Sequence, residues 1–289
     1  MRRGSVWLLV IGSLVAAGCG GDRPGPGTPE DSAGPDEAPP DARRAVAEIR
    51  GQGGEVRLDE SEPGDPALRV NLRNARDPAA ALALLGGLGE VRSLDLSLTA
   101  VTDDALRPLE GMTGLRELNL AGTQVRSAGL KHLAGLTSLE KLDLGETEVS
   151  QSGLTHLRGL TALRELGLKR VPTGDAALAD LAGLTELRSL NLHGSSVTDA
   201  GLAHLRGLKR LRVLIIDSNP GIGGAGLAHL KGLADLEALY LDDTGVTDAG
   251  LAHLKGLTRL RELKLYDTKV TDAGVDDLRQ ALPGVKVVR

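Results

Sequence analysis

The chain repeats itself every 24 residues. Aligned on the first apolar residue of each Leu-x-Leu pair, Val70, Leu94, Leu118, Leu142, Leu166, Leu190, Leu214, Leu239 and Leu263 fall into one column, with seven gaps of 24 residues and one of 25. Val287 opens a partial tenth copy. A fixed period of this length restricts the fold more than any other feature. Each copy is one supersecondary unit that cannot bury its own apolar face, so the copies must stack. Composition agrees with a thin, layered core. The 289 residues are 41% hydrophobic, yet they include no Phe, one Trp and two Tyr. Large rings usually fill the irregular space of a thick core; here Leu, Val and Ala do the filling.

Residues 233–254 read L-x-x-L-x-x-L-x-L-x-x-T-x-V-T-D-A-G-L-x-x-L. Leu-x-Leu is a short strand with both leucines on one face, because strand side chains alternate. The Thr-Asp pairs (Thr198-Asp199, Thr247-Asp248, Thr271-Asp272) offer a hydroxyl or carboxylate to the free amides that open a helix. Leu202, Leu205 and Leu208 follow at three-residue spacing and turn one helical stripe inward. Strand and helix alternate, which predicts a parallel sheet.

This pattern is similar to the leucine-rich-repeat family, whose core is L-x-x-L-x-L-x-x-N, over residues 66–289. The resemblance implies an α/β solenoid: an arc with parallel strands on its concave face and short helices on its convex face. One departure stands out. The Asn position is Thr99, Thr123, Thr147, Thr244 and Thr268, and only Asn219 keeps the Asn. The expectation is that the Thr hydroxyl bonds a neighbouring turn's backbone. Two turns are irregular: Gly167 sits mid-strand with Val171-Pro172 after it, and the extra residue of the seventh turn lies within residues 219–224. Each is read as drift in one copy or as a local bulge.

Ahead of the repeats the chain changes character. Residues 1–18 have the form of an export signal: Arg2 and Arg3, an apolar run from Val6 to Val15, then Ala16, Ala17 and Gly18. Cys19, the one cysteine, follows directly and resembles the acylated cysteine of a bacterial lipobox. Residues 19–41 then read as that lipidated Cys and a Pro/Gly/acidic tether too poor in apolar groups to fold. Residues 42–65 read as an N-terminal cap: a short helix with Val46 and Ile49, a Gly-rich turn, and a strand with Val56 and Leu58.

Several function classes fall away. Net charge is −5, with no basic run, so nucleic acid is not an expected partner. No phosphate loop, nucleophile elbow or Cys/His pair is present, and the chain is read as a non-enzyme without a cofactor. His132, His156, His204, His229 and His253 recur in G-L-x-H-L. They are read as consensus residues that bond the adjacent turn, not as metal ligands. What remains is the concave face. Its last turns gather Val213, Ile215, Asp217, Tyr240, Asp242, Lys264 and Tyr266, including both tyrosines. Aromatic and aliphatic groups inside a charged rim resemble a binding hot spot. The expected function is a monomeric, membrane-anchored envelope lipoprotein that binds a protein partner. The alternatives are a structural spacer, or a carbohydrate- or peptidoglycan-binding module.

Overall fold

The computed structural model describes residues 39–59 and 67–289. The export signal, Cys19 and most of the tether lie outside them. Eleven strands form one sheet in strict chain order: β1 (Glu55–Asp59), β2 (Ala67–Asn71), β3 (Val91–Asp95), β4 (Glu117–Asn119), β5 (Lys141–Asp143), β6 (Glu165–Gly167), β7 (Ser189–Asn191), β8 (Val213–Ile215), β9 (Ala238–Tyr240), β10 (Glu262–Lys264) and β11 (Lys286–Val288). From β2 onward every pairing is parallel. β1 runs antiparallel to β2. Only residues 60–66 separate those two strands, and a parallel crossover needs a dozen or more residues.

Register places each inward leucine beside its counterpart. Leu94, Leu118, Leu142, Leu166, Leu190, Leu214, Leu239 and Leu263 pair in sequence, none more than 2% exposed. The second leucines, from Leu96 to Leu265 with Ile216 among them, are equally buried. Burying one such side chain stabilises by about 1.5–3 kcal/mol before chain entropy is set against it. The extra residue of the seventh turn leaves this register intact, because Leu214 still pairs with Leu239 and the insertion falls in the loop beyond β8. β6 also pairs in register on both sides, so Gly167 makes no bulge.

The convex side is built from short helices, most of them single turns and the longest Asp272–Ala281. Short α-helices such as Asp199–Leu202 and Asp248–Leu251 run into 3-10 turns such as Ala203–Gly207 and Ala252–Leu254. Before the repeats, a 12-residue helix, Pro40–Gly51, buries Ala45, Val46 and Ile49.

Two local expectations need correction. The Thr hydroxyls do not bond the neighbouring turn. Thr99, Thr123, Thr147 and Thr244 each donate to the carbonyl three residues back at 2.6 Å, and Thr268 does so at 2.8 Å. A hydroxyl has one donor hydrogen, and its own corner uses it. Cross-turn bonds come instead from Ser195, whose Oγ donates to Leu168 O at 2.8 Å, and from Asn219. The Asn219 amide donates to Leu192 O at 2.9 Å and accepts from Val197 N–H at 3.0 Å.

The Thr-Asp pair also does more between turns than at its own helix. Thr198 and Thr271 cap weakly at 3.3 Å, and Thr247 does not cap through its side chain. The aspartates reach the following turn. Asp103 accepts from Arg126 N–H at 2.6 Å, Asp175 from Thr198 N–H at 2.7 Å, Asp199 from Gly223 N–H at 2.7 Å and Asp248 from Thr271 N–H at 2.8 Å. This contact explains the glycine of T-D-A-G-L. A Cβ added at Gly129 would fall 2.6 Å from Asp103 Oδ1, and added carbons at Gly201, Gly226 and Gly274 would collide with Asp175, Asp199 and Asp248. Where the preceding turn has Gln151 the place of the glycine is taken by Ala177, whereas Gly153 and Gly250 follow Ser127 and Gly224, and a carbon added at either would meet the backbone of that residue at 2.8 Å. The carboxylate and the backbone that carries it both crowd this position.

Gly201→Ala is therefore expected to lower stability by about 1–3 kcal/mol, as overpacking does, with the loss read from urea denaturation. An unchanged midpoint would show that the carboxylate does not hold this position.

Candidate binding surface on the concave face

Strand alternation turns the residues flanking each inward leucine onto the concave side, where they form columns along the stack. The column before the leucine runs Arg69, Ser93, Glu117, Lys141, Glu165, Ser189, Val213, Ala238, Glu262, Lys286. Its long side chains pair across the strands. Lys141 Nζ lies 3.2 Å from Glu117 and 3.6 Å from Glu165, and Arg69 lies 3.6 Å from Glu117. The Glu117 carboxylate, with Glu165 behind it, holds the Lys141 ammonium above its ordinary pKa.

The next column is polar for a backbone reason. Asn71, Asp95, Asn119, Asp143 and Asn191 each accept the N–H two residues on, at 2.8–3.0 Å. These Asx turns lead the chain out of the strand. At Gly167 the space a side chain would need is taken by the Asp143 carboxylate. Over these turns the face hollows into a groove of about 410 Å³, with Glu117, Lys141, Glu165, Asp95, Asn119 and Asp143 among its walls. Sequence reasoning missed this groove. Reading the column that contains Glu117, Lys141 and Glu165 down the alignment would have exposed its alternating charges.

The last turns differ. The Asx positions become Ile215, Tyr240 and Lys264, neighbours across β8, β9 and β10. Lys264 Nζ sits 4.0 Å from the centre of the Tyr240 ring, and the Tyr240 hydroxyl donates to Glu262 Oε2 at 3.2 Å. Burial first, then the Glu262 carboxylate, push the Tyr240 phenol above its usual pKa. Tyr240 is thus half-buried and engaged, whereas Tyr266 is 48% exposed. Asp217 Oδ2 lies 2.8 Å from His193 Nδ1, while its Oδ1 is enclosed without a hydrogen-bond partner. Asp242 Oδ1 accepts from Tyr266 N–H at 2.7 Å. Register therefore places Val213, Ile215, Asp217, Tyr240, Asp242, Lys264 and Tyr266 on one stretch of the face.

The five repeat histidines are not alike. His132 is buried and bonds Glu110 of the preceding turn through Nδ1. Among the described residues the other four make no such bond. The place of Glu110 is taken by Ala134, Ala182, Arg206 and Lys231 in the turns before them, none of which is an acceptor. No three His, Cys, Asp or Glu side chains among the described residues converge as a metal cluster. No described helix is long and apolar enough to cross a membrane.

Asp242 offers a test of this electrostatic picture. Burial is the main cause of its raised pKa, and the carboxylates of Asp217 and Asp267 add to it. An acid whose pKa is higher in the folded state loses stability as pH rises through its unfolded value toward its folded one. Asp242→Asn is therefore expected to raise stability at neutral pH and to bring no gain at pH values below the ordinary carboxylate range. Denaturation series at both pH values check this; a gain of equal size in acid would contradict the assignment.

Comparison with known proteins rests on structure alone. No family model matches the chain, and no curated protein does. Among solved structures, an internalin (inlF) of Listeria monocytogenes is similar at a TM-score of 0.53 and 24% identity, covering 73% of this chain and 63% of that one. Internalin C2 of the same species aligns at 0.56 and 24% identity, covering 86% and 93%. A leucine-rich-repeat protein of Leptospira interrogans aligns at 0.55 and 20% identity, covering 73% and 57%. The chain thus spans less than two thirds of the first and third of these, and nearly all of the second. Period, register and this likeness agree: the fold is a leucine-rich-repeat solenoid.

Proposed function

We propose that this protein is a bacterial cell-envelope lipoprotein that binds another protein through its concave face. It is read as a monomeric scaffold without catalysis or cofactor, exported and held to a membrane by acylated Cys19 and its tether. The observation that carries the binding reading is the change of residue type in β8 to β10. In five earlier turns the equivalent side chains close the strand as Asx turns. Ile215, Tyr240 and Lys264 cannot do so, and with Val213 and the exposed ring of Tyr266 they bring apolar surface to strand positions that are polar in those turns. An apolar centre with a charged rim is the usual make-up of a binding hot spot. The likeness in fold to bacterial leucine-rich-repeat proteins supports a scaffold role, and the anchor rests on residues 1–19 of the sequence.

A second reading, glycan or peptidoglycan binding, is favoured by the polar groove over β3 to β7. Its Asx side chains are already committed to backbone amides, which leaves fewer groups free for sugar hydroxyls.

In the native envelope, Tyr240→Ala with Tyr266→Ala is expected to reduce recovery of a cross-linked protein partner by roughly tenfold or more, as loss of hot-spot residues does. Unchanged recovery, or binding of isolated peptidoglycan that the double variant retains in full, would remove the reading. Labelled fatty acid is expected in the wild type and absent from Cys19→Ser; label persisting in that variant would refute the anchor.

A further inference from the structure

The concave face is electrically balanced over most of its length and unbalanced at one end. Over the strand and corner positions up to residue 170, five carboxylates (Asp95, Glu117, Asp143, Glu146, Glu165) meet five cations (Arg69, Arg73, Lys141, Lys169, Arg170). Many of these are tied together. Besides the Glu117–Lys141–Glu165 chain, Glu146 lies 2.8 Å from Lys169 and 3.6 Å from Arg170. Over the strand and corner positions from 213 to 288 five carboxylates (Asp217, Asp242, Asp243, Glu262, Asp267) share the face with two ammonium groups, Lys264 and, on the last strand, Lys286. The Lys264 ammonium rests on the Tyr240 ring and, among the described residues, forms no ion pair. Among the described residues Asp242, Asp243 and Asp267 form no ion pair.

The fold does not require these charges. In the column of Asp217 and Asp242 earlier turns carry Ser97, Ala121 and Gly145; in the column of Asp243 and Asp267 they carry Leu98 and Gly122. Like charges gathered on one surface oppose folding, yet here they surround the more exposed of the two tyrosine rings. Asp217, beside His193, keeps a fifth of its side chain exposed on the same stretch. Uncompensated carboxylates and an open ring share one complement: a planar cation with several N–H donors.

We infer that the partner bound at this end presents a cationic segment, with an arginine whose guanidinium is held by Asp217 and Asp242 and lies against the ring of Tyr266. This rests on the proposed binding function and names the chemistry of its partner. Guanidinium suits the site better than ammonium because its fork meets carboxylates in two directions and its plane stacks on an aromatic face. An acidic segment is repelled. The tether of this chain, with Glu30, Asp31, Asp36 and Glu37, is therefore not the occupant.

The test titrates the full chain with three peptides of about eight residues, long enough to cross three strands. They alternate valine with arginine, with lysine, or with glutamate. The arginine peptide is expected to bind, the lysine peptide more weakly, and the glutamate peptide not at all. Asp217→Asn with Asp242→Asn, and separately Tyr266→Ala, should each weaken the arginine peptide by roughly tenfold. Asn keeps the Oδ1 acceptor, so a matching circular dichroism spectrum and a melting point no lower than that of the wild type are expected for the Asn pair. Asp104→Asn with Asp276→Asn, an equal charge change on the convex side, should leave affinity within about twofold.

Equal weakening by the convex pair would reduce the effect to net charge and overturn the inference. So would calcium, titrated alone, binding to the wild type and not to the Asn pair while peptide affinity stays unchanged. If envelope capture depends on the two tyrosines but arginine peptides ignore the aspartates, the binding function stands and its cationic partner falls. If both fail, the binding function falls with it.

Discussion

Each turn finds partners in the next along the strands and their corners, and in four turns through a helix-start aspartate as well, and the rest of the structure depends on that lateral contact. The strands pair leucine beside leucine. At the corner beyond each strand, an N–H reaches the next turn's carbonyl, as Leu98 does to Ala121 and Asp243 to Tyr266, both at 2.8 Å. At the helix start, an aspartate accepts the next turn's amide. None of these can form within a lone repeat. The chain is consequently stable only as a stack, and its apolar residues need not vary from layer to layer. A core without phenylalanine is the compositional trace of that uniformity.

The same contact explains which parts of the fold were legible in the sequence. Leu-x-Leu at a 24-residue period states strand, inward face and neighbour together, so register followed directly. The insertion near Asn219 was legible as a loop event because it leaves the spacing within Leu214 and Ile216 untouched. Side-chain hydrogen bonding was less legible. A Thr at the Asn position can turn its hydroxyl either way, and only the corner geometry decides that it stays local. The aspartate of T-D-A-G-L reads as a helix cap by type, yet its oxygen lies nearer the following turn's amide. That the glycine after it yields space to that oxygen follows only from the three-dimensional stack.

Regularity also shows where something beyond folding acts on the sequence. The Asx column serves the backbone through Asn191, and its polar character there needs no ligand. From Ile215 onward the column no longer serves that purpose. The charge balance of the face breaks over the same turns, and the tyrosines fall there too. The groove over the middle strands was hidden from sequence reasoning for a different reason. Its walls are ordinary Glu, Lys and Ser, and their alternation is visible only when residues 24 apart are read as neighbours.

The most direct measurement places a photo-cross-linking side chain in the full protein at position 266, at 117 in the groove, or at 231 on the convex side, and irradiates each in the bacterial envelope. The account predicts a discrete protein adduct from position 266 that is lost when Asp217 and Asp242 are both replaced by Asn. Adducts arising only from position 231, or from 266 with no dependence on those aspartates, would contradict it.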